Sequence, residues 1–125
     1  MMKILSSAQL KIVDAHTIEQ EQINSIDLME RASRAVADKI RSRWTVDTPM
    51  KIFAGPGNDG GHALAVARML GESNYKVYVY LFNTLGKLSP DCQSNRQRLL
   101  DFQEVKQSMS VSRNIEFVEI TSQFN

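Results

Sequence analysis

The spacing of apolar positions changes along the chain, and each spacing predicts an element. Between residues 25 and 44 apolar side chains recur every three or four positions, which forms one stripe along a helix. Ser25 is placed to cap this helix, and Asp27 lies in its first turn, where the helix dipole favours an acid. Glu30 is expected on a solvated or dimer-facing side. The predicted stripe consists of Leu28, Met29, Ala32, Val36 and Ile40.

A weaker amphipathic pattern precedes this segment and predicts another helix over residues 6–20. Ser6 and Gln9 have the spacing of a capping box, in which the hydroxyl and the amide satisfy first-turn backbone groups. The side chains of Leu10, Val13 and Ile18 give the helix a partly apolar side. The chain is therefore expected to begin with two helices.

Three short apolar runs predict strands over residues 50–54, 76–82 and 115–120. The second run, KVYVYLF, is dense in β-branched and aromatic residues, which is typical of a strand buried on both faces. Helices are predicted between the runs, from Gly61 or His62 to residue 72 and from residue 89 to residue 107. In the second of these, Ser89 is the cap and Pro90 occupies the first helical position.

Strands that alternate with helices predict parallel pairing and right-handed crossovers, hence an α/β fold. The 125 residues amount to one domain, but three strands are only half of an ordinary doubly wound sheet. Such an incomplete sheet is expected to leave an apolar edge and face uncovered, which favours self-association of the chain.

Composition narrows the class of protein without naming an activity. Hydrophobic residues make up 42% and charged residues 23%, as in a folded globular protein. A formal net charge of +1 gives no reason to expect nucleic acid or an anionic membrane as a partner. The sequence shows no apolar run long enough to span a membrane, and its single cysteine excludes an internal disulfide. We therefore expect a cytoplasmic protein.

The stretch GPGNDGGH, residues 55–62, holds four of the six glycines of the chain. A glycine-rich turn from a strand into a helix is a ready anion site, because the helix N-terminus has unpaired N–H groups and a partial positive charge. Glycine also lets the backbone approach a phosphate closely. The alternative is a tight structural turn with no ligand. Asn58 and Asp59 exceed what such a turn needs, so a phosphate-type ligand is favoured.

The turn contains G-x-G-x-x-G at Gly55, Gly57 and Gly60, but this match is weak by itself. The dinucleotide fingerprint also needs an acid about 20 residues on, and the second strand ends in Leu-Phe-Asn instead. No Gly-Lys-Ser/Thr is present, so a P-loop is excluded. Asn83, which follows the second strand on the crevice side, is open to either a ligand-lining role or an ordinary loop position.

Three stretches in the right order resemble one family. FAGPGNDGGHALAVARML is similar to the signature of NAD(P)H-hydrate epimerases, the YjeF N-terminal domain, whose loop runs GPGNNGGDG before a helix. SIDLMERASRAVA, residues 25–37, resembles the family helix that contains Leu-Met-Glu. SAQLKIVDAHTI, residues 7–18, stands where the family has its opening helix. Residues 1–125 are thus identified as the amino-terminal part of such a domain, with no dehydratase domain.

The resemblance implies a Rossmann-like sheet and an activity in cofactor repair. Members interconvert the R and S forms of hydrated NADH and NADPH, so that a separate NAD(P)H-hydrate dehydratase can restore the cofactor. Members also commonly bind a potassium ion beside the substrate phosphates, and they often form homodimers. The implied substrate-binding residues are Asn58, Asp59, Gly60, Gly61 and His62, with Asp59 at the position of the ion ligand.

The sequence departs from the family pattern at His62, where the family has Asp, at Ala63, where it has Gly, and in length. By resemblance, the missing half of the domain supplies the catalytic carboxylate, further ion ligands and a second glycine-rich loop. No catalytic residue is therefore assigned in this chain. Two functions stay open: a truncated NAD(P)H-hydrate epimerase, or a non-catalytic module that binds nucleotide phosphates or dimerises.

Overall fold

A computed structural model of the chain describes residues 24–122 as three helices and three strands in an α/β arrangement. The helices are α1 (Ser25–Arg43), α2 (Asn58–Glu72) and α3 (Pro90–Ser108), and the strands are β1 (Met50–Ala54), β2 (Val77–Asn83) and β3 (Ile115–Thr121). All elements predicted for these residues exist in the predicted order. The helix predicted over residues 6–20 lies outside the described residues.

The strands form one parallel sheet in the order β1-β2-β3, as predicted. The register places Ile52 beside Val79, which in turn lies beside Phe117. α2 follows β1 and α3 follows β2 as crossover connections, which is how neighbouring parallel strands are joined. The glycine loop therefore lies at the carboxyl end of β1, the end at which open α/β sheets bind ligands.

The hydrophobic core lies between one face of the sheet and the helices. Val77, Val79 and Leu81 are fully buried on that face, whereas Tyr78 and Tyr80 on the opposite face are only partly buried and Phe82 is exposed. The prediction that β2 is buried on both faces is therefore wrong. Its apolar composition reflects one buried face and one face that residues 24–122 leave partly exposed.

Two local predictions for α1 need correction, and one for α3 is confirmed. Asn24, not Ser25, caps α1, because its side-chain oxygen accepts a hydrogen bond from the Asp27 N–H at 3.0 Å. The buried side of α1 runs through Ser33 and Ala37, while the predicted Ala32 and Val36 are half-buried. The cap of α3 is confirmed: Ser89 Oγ accepts from the Cys92 N–H at 3.2 Å.

Glu30, predicted on a solvated or dimer-facing side, is partly exposed and joins all three helices. Its Oε1 accepts from Arg68 of α2 at 2.5 Å and from Arg98 of α3 at 3.4 Å, and its Oε2 accepts from Arg34 at 3.3 Å. This ion-pair cluster ties the outer surfaces of the helices together. Across residues 24–122, no helix is both long and apolar enough to cross a membrane.

Candidate functional site

The turn between β1 and α2 is shorter than the sequence predicted, because α2 begins at Asn58 rather than at Gly61 or His62. Only residues 55–57 separate the strand from the helix. An early start is possible because glycine at residues 60 and 61 tolerates the tight packing of a buried first turn. The helix terminus, with its unpaired N–H groups, is therefore formed by residues 58–60.

The first turn of α2 has no cap from the protein. Gly57 is the N-cap residue and offers no side-chain hydrogen bond, and the first intrahelical bond runs from the Gly61 N–H to the Gly57 carbonyl at 3.2 Å. Within residues 24–122, the N–H groups of residues 58, 59 and 60 have no acceptor. Uncapped N–H groups at a helix start bind anions readily.

A second helix begins beside the same turn. The Ser89 N–H, at the cap of α3, donates to the Pro56 carbonyl at 2.9 Å, which brings the starts of α2 and α3 together. Between them lies an open depression of ≈ 500 Å³. Both helix dipoles place partial positive charge at its wall. Its lining residues are Gly55, Pro56, Gly57, Asn58, Asp59, Gly60 and Ser89.

The four glycines of the loop have two different roles. A Cβ on Gly60 would lie 1.7 Å from the Gly55 carbonyl oxygen, and a Cβ on Gly61 would lie 2.8 Å from the Met29 sulfur. Gly60 is thus needed by the backbone of the turn itself, whereas a side chain at Gly61 would require the Met29 side chain to shift. A Cβ on Gly55 or on Gly57 would meet no atom within 4 Å. The absence of a side chain there leaves room over the depression for a ligand.

The predicted site residues separate into two groups. Asn58 and Asp59 are exposed at the lip of the depression, and Gly60 lines it. Gly61 and His62 are buried and are not among the lining residues. They are inside the first turn of α2, which faces the other helices.

His62 packs against α1, where its partner is Ser33. The two side chains are 3.3 Å apart between Ser33 Oγ and His62 Nδ1, and the same hydroxyl donates to the His62 carbonyl at 3.4 Å. The partner could have been predicted from one signal, since Ser33 is a polar residue at helical spacing from Met29 and Ala37, on the buried side. The His62 imidazole thus helps to pack α2 against α1.

A polar network lies at the carboxyl end of the sheet, and it was not predicted from the sequence. Arg96 of α3 donates to Glu119 Oε1 at 3.0 Å through Nε and at 2.6 Å through its terminal nitrogen. Asn83 Nδ2 donates to Glu119 Oε2 at 2.8 Å. These hydrogen bonds, first the one from Arg96, hold the pKa of Glu119 below its usual range against an opposing effect of burial. Asn83 therefore contacts this network.

Cys92 and Asp59 differ in their possible role towards a cofactor, because the Cys92 thiol is buried and the Asp59 carboxylate is exposed. Burial raises the pKa of the Cys92 thiol to about 11, and its Sγ donates to the Gly55 carbonyl at 3.7 Å, so this thiol supports the loop. Asp59 and Asn58 offer side-chain oxygens in the open. Among residues 24–122, no three His, Cys, Asp or Glu side chains cluster as a metal site. A cation here would need further oxygen donors from a ligand or from water.

Comparison with protein families gives a match over nearly all of this structure. The family model described as "YjeF-related protein N-terminus" matches residues 25–121. Its span starts at the first residue of α1 and ends at the last residue of β3. The glycine loop is within the matched region.

The similar curated proteins carry related names. A protein named NAD(P)H-hydrate epimerase from Rhodobacter capsulatus is 33% identical over 105 residues, covering 78% of this chain and 50% of its own. One of the same name from Oenococcus oeni is 39% identical over 88 residues, covering 70% and 42%. A "Bifunctional NAD(P)H-hydrate repair enzyme Nnr" from Salinibacter ruber is 32% identical over 102 residues, covering 80% and 19%. The chain spans about half the length of the epimerase relatives.

A solved structure supports the fold independently of the sequence match. The crystal structure of yeast ynu0, YNL200c, superimposes with a TM-score of 0.60 at 22% identity. The match covers 97% of this chain and 48% of the yeast chain. The predicted α/β, Rossmann-like architecture is therefore confirmed.

Proposed function

The chain belongs to the family of YjeF-related protein N-termini, and from that membership we propose that it acts in NAD(P)H repair, as part of an NAD(P)H-hydrate epimerase that interconverts the R and S forms of hydrated NADH and NADPH. The observation that carries the proposal is the row of three N–H groups without acceptors at residues 58–60. A cofactor phosphate is the anion that such a row fits.

In this proposal the residues of the depression bind and orient the substrate. The N–H groups of residues 58–60 donate to phosphate oxygens, and the Asn58 amide adds a donor at the lip. Gly55 and Gly57 leave the approach free of side chains. Gly61 and His62, implied as substrate contacts by the resemblance, contribute indirectly by holding the first turn of α2 against α1.

A potassium ion beside the phosphates is part of the proposal. Asp59 would supply one hard oxygen ligand, and substrate phosphates and water would supply others. The ion would offset the negative charge that Asp59 adds near an anionic substrate. The Asp59 carboxylate is exposed at the lip and makes no hydrogen bond within residues 24–122, which leaves its oxygens available for this role.

No proton-transferring residue is assigned within residues 24–122. Asp59 is the one acidic or basic side chain among the described lining residues of the depression, and epimerisation needs an acid or base held against the hydrated ring carbon. This observation favours a second candidate function, a non-catalytic module that binds nucleotide phosphates. The two candidates share the binding step and differ in turnover.

The proposal includes a dehydratase as functional partner and a cytoplasmic location. The partner is suggested by the "Bifunctional NAD(P)H-hydrate repair enzyme Nnr" of Salinibacter ruber, whose name states that one chain carries two functions. For the location, the physical argument is that the single, buried Cys92 gives no need for an oxidising compartment.

A coupled assay tests turnover. The R form of hydrated NADPH is incubated with the chain, a dehydratase specific for the S form, and potassium chloride, and NADPH is followed by absorbance. Choline chloride at the same ionic strength shows the effect of potassium. Gly57→Val places a side chain over the depression, and Ser94→Val, on the exposed side of α3, is the matched control.

Recovery faster than spontaneous epimerisation, lost in Gly57→Val and kept in Ser94→Val, supports the enzyme. Recovery at the spontaneous rate together with a thermal shift by ADP-ribose supports the binding module instead. If the chain showed no turnover and no ligand-induced thermal shift, both candidate functions would be contradicted.

A further inference from the structure

A second cavity lies at the end of the sheet opposite the glycine loop. It is formed where α3 ends and the chain turns into β3, and its volume is ≈ 310 Å³. Cavities that hold small molecules have volumes from about 300 Å³ upwards. We call it the α3–β3 cavity; it is lined by residues 102–103, 106–107, 110–111 and 113–115. None of these residues lines the depression beside the glycine loop, so the two sites are separate.

The floor of the α3–β3 cavity is apolar and closely packed. Ile115, the first residue of β3, is 1% exposed, and Phe102 of α3 packs against the core beside it. Both side chains lie over Gly71 of α2, where a Cβ would be 2.3 Å from Ile115 Cδ1 and 3.4 Å from Phe102 Cε2. Val111 adds a third apolar side chain. An apolar ligand body would therefore be removed from water against a floor that is already in place.

Side-chain hydrogen bonds to the backbone hold the walls of the cavity in place. Gln103 Nε2 of α3 donates to the Ile115 carbonyl at 3.0 Å. Asn114 Nδ2 donates at 2.8 Å to the carbonyls of both Gly71 and Tyr75. These bonds tie α3 to the start of β3, and the start of β3 to the end of α2. The cavity is thus a fixed part of the fold, which lowers the cost of ordering it around a ligand.

The way in which α3 ends fixes the turn beside the cavity. The Val111 N–H donates to the Lys106 carbonyl at 3.0 Å, and the Ser110 N–H donates to the Gln107 carbonyl at 3.1 Å, which is the Schellman motif. Ser110 has the positive φ, 56°, that this motif requires. Because these bonds occupy carbonyls of the last turn, the negative end of the helix dipole is partly compensated where an anion would approach.

The charged side chains among the described lining residues are both cationic. Lys106 Nζ donates to Asn114 Oδ1 at 2.8 Å and lies 5.3 Å from the centre of the Phe102 ring, and both of these partners are neutral. Arg113 is exposed. Among residues 24–122, neither cation forms an ion pair with a carboxylate. An anionic group that enters the cavity would thus meet two positive charges without displacing an acidic side chain.

The two points at which the chain continues beyond the described residues lie at the other end of the sheet. Asn24 caps α1 at the end that packs on the start of α2, where Ser33 Oγ is 3.3 Å from His62 Nδ1. Residue 122 follows the carboxyl end of β3. The α3–β3 cavity, at the amino end of β3, is therefore remote from both points.

We propose that the α3–β3 cavity binds a small organic anion, whose apolar body rests on Phe102 and Ile115 and whose carboxylate faces Lys106 and Arg113. A carboxylate suits both cations, because its two oxygens accept several hydrogen bonds and a guanidinium can donate two in parallel. Since the cavity is at the lower limit of ligand cavities, it takes a molecule of about the size of a fused two-ring acid. This site is additional to the proposed phosphate site and does not depend on turnover of a hydrated cofactor.

A titration of the ¹⁵N-labelled 125-residue chain with 2-naphthoate tests the proposal. The amide shifts should saturate, be largest within residues 102–115 and leave residues 58–60 unchanged. For a ligand of about a dozen non-hydrogen atoms we expect a Kd of about 1 mM or tighter. 2-Naphthamide, which has the same rings without the charge, should bind about fivefold or more weakly. Inorganic phosphate, which has the charge without the rings, should not saturate these amides at the same concentrations.

Charge variants test the role of the two cations. Arg113→Gln should weaken 2-naphthoate binding about threefold or more, and Arg113→Gln combined with Lys106→Gln about tenfold or more. Neither variant should change 2-naphthamide binding by more than about twofold. Lys39→Gln is the matched control, because Lys39 is an exposed cation of α1 that does not line the cavity, and its replacement should leave the Kd unchanged. Circular dichroism shows whether each variant is folded.

Several results would overturn the proposal. The wild-type chain could give no saturating shift at about 10 mM 2-naphthoate, or its largest shifts could fall outside residues 102–115. 2-Naphthamide could bind as tightly as 2-naphthoate, or Arg113→Gln could weaken binding no more than Lys39→Gln. Saturation by 2-naphthoate in a chain that does not bind NADP⁺ would support this site and contradict only the phosphate site.

Discussion

Gly60 lies so close to Gly55 that a Cβ on residue 60 would be 1.7 Å from the Gly55 carbonyl oxygen. That atom belongs to the backbone of the turn and has no rotamer by which to move away. The close approach permits α2 to start immediately after the turn. It also keeps the unpaired N–H groups of residues 58–60 at the mouth of the depression.

Gly60→Ala should therefore destabilise the chain by about 3 kcal/mol or more, although alanine is the better helix former. Urea unfolding followed by circular dichroism measures the change. Gly57→Ala is the matched control, since a Cβ there meets no atom within 4 Å and the cap residue has extended backbone angles. Its expected cost is at most about 1 kcal/mol. Equal losses of stability in Gly60→Ala and Gly57→Ala would contradict the separate roles of these two glycines.

Glu30 provides a second prediction, because its carboxylate is shared by arginines from all three helices. Glu30→Gln should lower the free energy of unfolding by about 1 kcal/mol, more than a single surface pair gives, since it leaves Arg68, whose side chain is only 10% exposed, with one acidic partner. Thermal and urea unfolding in low salt are the measurements.

Glu72→Gln is the control for this cluster. Among the described residues, Glu72 contacts Arg68 alone, at 3.3 Å, and its side chain is 43% exposed. Its replacement should cost less than about 0.5 kcal/mol. The cluster would be unimportant for stability if Glu30→Gln cost no more than Glu72→Gln.

The sequence was sufficient to locate the helices and strands, but not to show which of their surfaces are covered. Apolar spacing located α1 and all three strands to within a residue or two, because periodicity reflects a covered face. It could not show that residues 24–122 leave one face of β2 partly exposed, since Tyr80 and Phe82 are apolar whether or not something covers them. Burial of a strand depends on what packs on it.

The site was predicted in part for a similar reason. Glycine content and helix-terminus physics located the loop, but not which glycines pack within the fold and which border open space. The structure assigns Gly60 and Gly61 to packing, and Gly55 and Gly57 to open space. The Arg96–Glu119 pair could not be foreseen, because its members are 23 positions apart on different elements.

The pH dependence of stability should change when Glu119 is replaced. Arg96 lowers the pKa of Glu119 in the folded chain, so the stabilisation is complete above the ordinary value of 4.5 and is lost as the pH falls through the lower folded pKa. Wild type should exceed Glu119→Gln in unfolding free energy at pH 7, and the difference should shrink below pH 4.5. When Arg96→Leu is added to both the wild type and Glu119→Gln, the pH dependence of the difference in their unfolding free energies should largely vanish. A difference that grows on acidification would contradict this assignment.

Cys92 should be chemically inert while the chain is folded. Its pKa of about 11 leaves roughly one thiol in a thousand ionised at pH 8, and the side chain is buried. A disulfide reagent such as Ellman's should label it at least about a hundredfold more slowly in buffer than in 8 M urea. Comparable rates would show that the start of α3 opens easily.

The central claim is that the N–H groups of residues 58–60 receive a nucleotide phosphate, and a titration of ¹⁵N-labelled chain with NADP⁺ tests it most directly. We predict that the largest amide shifts fall on Asn58, Asp59 and Gly60, saturate with added ligand, and disappear in Gly57→Val. Saturating shifts confined to other residues, or no shifts at millimolar NADP⁺, would contradict the claim.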